Sequence, residues 1–159
     1  MKNLKKIIVC LGVIMTMLLT ACSGGGNTES SASVSDMVQG IADSGVQFEE
    51  LTAGEDDDDV TAYHYSVEKD WYSEYASLSA TAASADEIVI FKASSDDTVD
   101  DLENALNAYL EKRKNDFEQY APDEYDKLTK CKVITKGDYV CLIVSPDNST
   151  AEDKFNSYF

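Results

Sequence analysis

Cysteine and histidine are the side chains most ready for chemistry, and this sequence has few of them: Cys10, Cys22, Cys131, Cys141 and His64. A zinc site needs several such ligands at close spacing. Cys131 and Cys141, separated by a hairpin, and the remote His64 do not supply one, so no metal ligand and no cofactor is assigned. His64 lies between Tyr63 and Tyr65 and reads as a packed or surface imidazole rather than a catalytic one. No Gly-x-Ser-x-Gly supports a hydrolase nucleophile. Gly24-Gly25-Gly26 does not join a strand to a helix, as a phosphate-cradling loop must. Carboxylates present the opposite difficulty. With 30 Asp and Glu in the chain, a pair at glycosidase-like separation would arise by chance. The run from Glu55 to Asp59 lacks the alternation and central Gly of a calcium loop and reads as a solvated loop. No catalytic residue is assigned, and the chain is read as a non-enzyme. Tyr63, Tyr65, Trp71, Tyr72 and Tyr75 form the one concentrated aromatic group. Exposed, these rings could stack on glycan or grip a partner; the alternative is that they cover one edge of the core.

Cys22 is the exception among the thiols. Lys2, Lys5 and Lys6 precede a largely apolar 13-residue run, Ile7 to Leu19. As a helix that run is too short for a ~30 Å hydrocarbon core, which takes ~20 residues, so a secretory signal is the better reading. Leu19-Thr20-Ala21-Cys22 resembles the lipobox of bacterial lipoproteins. The resemblance implies a signal peptide over residues 1–21 and a diacylglyceryl thioether, with acyl chains such as palmitate, on Cys22. At ~0.8 kcal/mol per buried CH₂, two or three chains hold a protein on a bilayer without a spanning helix. Residues 22–33 then read as the lipidated cysteine and a Gly/Ser-rich tether, and 34–159 as one domain of ordinary size. The formal net charge is −17 and becomes more negative once the signal lysines leave. Such a surface repels phosphate backbones, which excludes a general nucleic-acid binder.

The elements that would carry these side chains follow from periodicity. Val34, Met37, Val38 and Ile41 fall at helical spacing, and Val46, Phe48 and Leu51 alternate as a brief strand. Val60 to Tyr65 is rich in strand formers, while Glu68 to Tyr75 could make a helical turn or two. Ile88-Val89-Ile90-Phe91 is a continuous apolar run, predicted as a central strand buried on both faces and paired with Tyr75 to Ala82. Val99, Leu102, Leu106, Tyr109, Leu110, Arg113, Phe117 and Tyr120 define one face of a long helix, capped by Thr98 with Asp101 and broken by Pro122. A short helix follows to about Leu128. Cys131 to Thr135 and Tyr139 to Val144 form a hairpin around Lys136-Gly137, and Ser149 with Glu152 opens a last helix. The predicted fold class is α+β: an antiparallel sheet of about four strands in two hairpins, with amphipathic helices on one face, ββα-ββα-like.

The hairpin leaves two registers open. A three-residue loop Thr135-Lys136-Gly137, with Gly137 in a G1 bulge, sets Cys131 opposite Cys141 at a distance a disulfide tolerates. A two-residue Lys136-Gly137 turn instead points the two thiols to opposite faces.

Three segments carry a family resemblance: Ser84-Ala85-Asp86-Glu87-Ile88 leading to Phe91-Lys92, Phe117 through Tyr125, and Val133 through Val140. With them the chain resembles the small lipoproteins, mostly of anaerobic Gram-positive bacteria, catalogued as domain of unknown function 4358. An anaerobic habitat argues for two free thiols. The family implies a location and a domain type but no site residues. The expected function is a membrane-tethered extracytoplasmic lipoprotein on the outer face of the cell membrane. It would be anchored to the bilayer through Cys22 and act as a non-catalytic accessory domain toward an envelope protein or cell-wall component. The alternative is an envelope enzyme with a carboxylate-based or ion-assisted site.

Overall fold

The computed structural model describes residues 29–54, 57–81 and 83–159, so Cys22 and the signal segment lie outside the described residues. Among the described residues five helices and five strands build an α+β fold: α1 (Val34–Ala42), β1 (Thr52–Ala53), α2 (Asp58–Tyr65), β2 (Tyr72–Ser79), β3 (Glu87–Ala93), α3 (Asp96–Phe117), α4 (Pro122–Lys130), β4 (Val133–Lys136), β5 (Tyr139–Val144) and α5 (Asn148–Asn156). The strands form one antiparallel sheet in the order β1-β2-β3-β5-β4. The expected hairpins, β2–β3 and β4–β5, meet along the β3–β5 seam, and the two-residue β1 adds a fifth strand at one edge.

The helices cover both faces of this sheet, which corrects the expectation of one. Val89, Phe91 and Ala93 of β3, with Val140, Leu142 and Val144 of β5, point into a core closed by Tyr65 of α2, Leu102, Leu106 and Leu110 of α3, and Leu128 of α4. The alternate residues Ile88, Ile90, Tyr139, Cys141 and Ile143 point the other way, onto Met37 and Ile41 of α1 and Phe155 of α5. Strand side chains alternate between faces, so the continuous apolar runs Ile88 to Phe91 and Tyr139 to Val144 need an apolar layer on each side. The helices of the two ββα units, α3 and α5, lie on opposite faces. A two-fold axis through the seam, perpendicular to the sheet, would have placed them on the same one.

Several local expectations shift. Val60 to Tyr65 is helical rather than extended: the Asp57 carboxylate caps α2 by accepting from the Asp59 and Val60 N–H groups, and Thr61 and Tyr65 are buried. Asp58 and Asp59, expected in a loop, occupy the first turn of α2, where carboxylates complement the helix dipole. Glu68 to Tyr75 runs instead into strand β2, and β1 stands just beyond the strand expected at Val46 to Leu51. α3 starts earlier than expected, with Thr98 bonding back to the Ser95 backbone. Asp147, not Ser149, caps α5.

The hairpin loop matches neither alternative of the sequence, although the two thiols do point to opposite faces, as the two-residue turn implied. Lys136 pairs with Tyr139 and Ile134 with Cys141, leaving Gly137-Asp138 as the loop. Gly137 has φ +54°, the positive value that a II′-type loop requires at its first position. Cys131 and Cys141 are free and lie in the two different cores. They form no disulfide. The Cys131 thiol donates instead to the Leu128 carbonyl at 3.2 Å.

Candidate functional site

The predicted aromatic cluster does not form one surface. Tyr63 is 90% exposed, whereas Tyr65 is buried. Trp71, Tyr72 and Tyr75 are half-buried against the α2–α3–α4 core, and Tyr65, Tyr72 and Tyr75 each pack on the Phe91 ring. Four of the five rings therefore close an edge of the core. The Tyr72 hydroxyl, partly buried and bonded to Asp58, has its pKa pushed up to about 12.

The polar groups converge elsewhere, where the chain enters β3. Glu87 opens that strand with its side chain on the α3 face and 1% exposed. An isolated buried carboxylate would be prohibitive, so it must be paired. Oε1 accepts from the Tyr65 hydroxyl at 2.8 Å, Oε2 from Arg113 Nη1 at 3.2 Å, and the Tyr109 hydroxyl lies 3.0–3.1 Å from both. Tyr109 and Arg113 stand one turn apart on α3 and present both donors to the same acid. Burial, and then the Glu87 charge, raise the Tyr65 and Tyr109 hydroxyls well above the ordinary phenol range, so both remain donors. Burial works against the Arg113 charge, but Glu87 outweighs it and the guanidinium is held protonated.

Through Tyr109 the network reaches the surface at His64. The Tyr109 oxygen also accepts from Arg113 Nη1 at 3.1 Å and lies 3.0 Å from His64 Nε2. Tyr109 has one hydroxyl hydrogen, and a carboxylate is the strongest acceptor in reach. His64 Nε2 is therefore the donor, on an exposed ring.

A second buried pair flanks the first. Asp86, also 1% exposed, accepts from Lys127 Nζ at 2.6 Å and from the Glu49 N–H at 2.9 Å. Lys127 reaches Glu124 at 2.9 Å, and Glu124 accepts from the Ala85 N–H and Ser84 hydroxyl. Arg113 Nη2 donates to the Ala85 carbonyl at 3.2 Å. Ala85 is thus held through its N–H from α4 and through its C=O from α3. Burial opposes the charges of both α4 groups, yet their hydrogen bonds win: Glu124 titrates below, and Lys127 above, its ordinary range.

Beside this turn lies a cleft of about 350 Å³, lined by His64, Arg113, Asp116, Phe117 and Tyr120 among others. Among the described residues the Arg113 Nε N–H is buried without a partner. Among them, too, no group of three or more His, Cys, Asp or Glu side chains could hold a metal ion, and no helix is long and apolar enough to cross a membrane.

Sequence reasoning missed this constellation, although its signal was present: Arg113 sits on the apolar face of α3, where a charge demands a buried acid. The Ser84–Glu87 turn and the Phe117–Tyr125 segment that carried the family resemblance are the parts brought together here. No curated protein and no solved structure matches the chain. A family model matches residues 46–145, well over half of the chain and spanning every residue of this network, so the chain belongs to the family described as domain of unknown function (DUF4358).

Proposed function

We propose that the protein is a lipoprotein tethered through Cys22 to the outer face of the cell membrane, its domain serving as a binding or accessory module in the envelope. The observation that carries the anchor is the order of residues 1–33: lysines, a short apolar run, Leu19-Thr20-Ala21-Cys22, then a Gly/Ser-rich stretch. The strong negative charge supports a domain that floats off an anionic surface rather than lying on it.

For the domain, the geometry supports binding better than turnover. Glu87, Arg113, Asp86, Lys127 and Glu124 are engaged with one another, which suits a rigid wall for a cleft rather than groups poised to exchange protons with a substrate. Growth with a labelled fatty acid tests the anchor: the wild-type protein should carry label and Cys22→Ser should not. A labelled serine variant would overturn it. Crosslinking in the native host should capture an envelope protein or wall fragment. Turnover of a wall-derived substrate that is lost in Asp116→Asn, the carboxylate lining the cleft, would replace the accessory role with a carboxylate-based enzyme.

A further inference from the structure

The cleft beside the Glu87 network has a composition that selects among ligand classes. Its floor begins at Arg113, whose guanidinium lies 5.2 Å over the Phe117 ring. Phe117 in turn stacks on Tyr120, with centroids 5.2 Å apart and planes 29° from parallel. The inner members of this ladder are covered, but Tyr120 is 63% exposed, so a flat aromatic face is held open by the two groups behind it. Ser79, Thr81, Asp116 and His64 share the lining with it. After its bonds to Glu87, Tyr109 and Ala85, Arg113 retains one N–H on Nη2. No other described group engages His64 Nδ1. The cleft therefore offers an aromatic platform beside separate donors and acceptors at short range.

Charge narrows the choice. Arg113 is balanced by Glu87, and Asp116 stands in the lining, so the cleft holds no net positive charge to attract an anion. The chain as a whole, at −17, repels one. A simple cation carries no acceptor for the remaining Arg113 N–H. What fits is a neutral molecule with an apolar face and many hydroxyls. The volume of about 350 Å³ lies within the ~300–1,000 Å³ of small-molecule clefts.

We propose that this cleft binds a neutral saccharide, one sugar ring laying its C–H face on Tyr120 and directing hydroxyls to Asp116, Arg113 and the Ser79–Thr81 side. This names a ligand class for the binding role proposed above and rests on that role, but not on the lipid anchor. It also separates Tyr120 from Tyr63, an exposed tyrosine outside the cleft.

The test is saturation-transfer NMR on the full chain in detergent, with the trimer of N-acetylglucosamine and with cellotriose as probes. At least one should receive saturation at its ring C–H protons. Tyr120→Ala, at a surface position where folding is easily verified by circular dichroism, should weaken binding by roughly tenfold, and Tyr63→Ala should leave it unchanged. No transfer to either probe overturns the saccharide assignment. Loss with Tyr63→Ala but not with Tyr120→Ala overturns the cleft, and tighter binding of glucuronic acid than of glucose overturns the neutral class. If no sugar binds while crosslinking in the host still captures an envelope protein, the accessory role survives and this inference fails alone.

Discussion

Replacing Arg113 by Met tests whether the Glu87 network holds the fold as its geometry implies. Methionine can refill much of the side-chain volume but leaves Glu87 without its cation. The Glu87 side chain is 1% exposed and that of Arg113 18%, so water cannot readily take the place of the guanidinium. Removing one partner of a buried pair costs ~3–5 kcal/mol, mostly the penalty of the charge left behind. Tyr65 and Tyr109 still donate to the carboxylate, which puts the expectation near the lower end, about 3 kcal/mol. For a domain of this size that corresponds to a melting temperature lower by roughly 10–15 °C. Urea unfolding followed by circular dichroism gives the free energy directly. Glu87→Gln combined with Arg113→Met removes both charges, and the double variant should be less destabilised than the sum of the singles by ~1–3 kcal/mol. A loss below about 1 kcal/mol for Arg113→Met, or strictly additive singles, would show that the pair is solvated and the accounting wrong.

The second buried pair governs pH dependence. Glu124 titrates below its ordinary value of 4.5, so its contribution is full above that value and is lost as pH falls through the depressed folded pKa. Lys127 titrates above 10.5, so its contribution is full below that value and is lost as pH rises through the elevated one. The melting temperature should thus decline on both flanks, and Glu124→Gln should flatten the acid flank; an unchanged acid slope would refute the assignment. For the thiols, burial raises Cys131 to about 11 and Cys141 well above the ordinary thiol range. Iodoacetamide at neutral pH should label neither Cys131 nor Cys141 in the folded domain and both in urea without reductant. Failure to label them in urea until reductant is added would restore the disulfide.

Much of this fold was legible because its strongest signals are long and one-sided. The face of α3 from Leu102 to Phe117 repeats over about four turns, and the buried set matches it. Ile88 to Phe91 and Tyr139 to Val144 are apolar runs with side chains sent to both faces. That pattern already required two apolar layers, and the expectation of helices on one face conflicted with it. α2 was not legible, because Val60, Thr61, Tyr63 and Tyr65 favour strand locally while the Asp57 cap and the burial of Tyr65 favour helix. The β4–β5 register hung on whether Gly137 ends a three-residue loop or begins a two-residue one. Local sequence does not distinguish these, yet they put Cys131 in different places.

The same limit explains why the polar network escaped notice. Arg113 on an apolar helix face announces a buried acid, and Asp86-Glu87 at the head of a central strand announces buried bases. Which acid meets which base depends on facing. Strand alternation sends Glu87 toward α3 with Val89 and Phe91, where Arg113 and Tyr109 wait. Asp86 is left to the Glu49 N–H and to Lys127 of α4. In a chain with 13 basic residues against 30 acidic ones, most carboxylates have no cation to meet. Two of those scarce cations are nevertheless half-buried on either side of Ala85. Their positions fix the turn that carries Ser84 against Phe117 at the end of α3 and Tyr120 in the turn after it. The cleft walls are therefore coupled to the buried charges, and loosening Glu87 or Asp86 should blur the cleft before it unfolds the sheet.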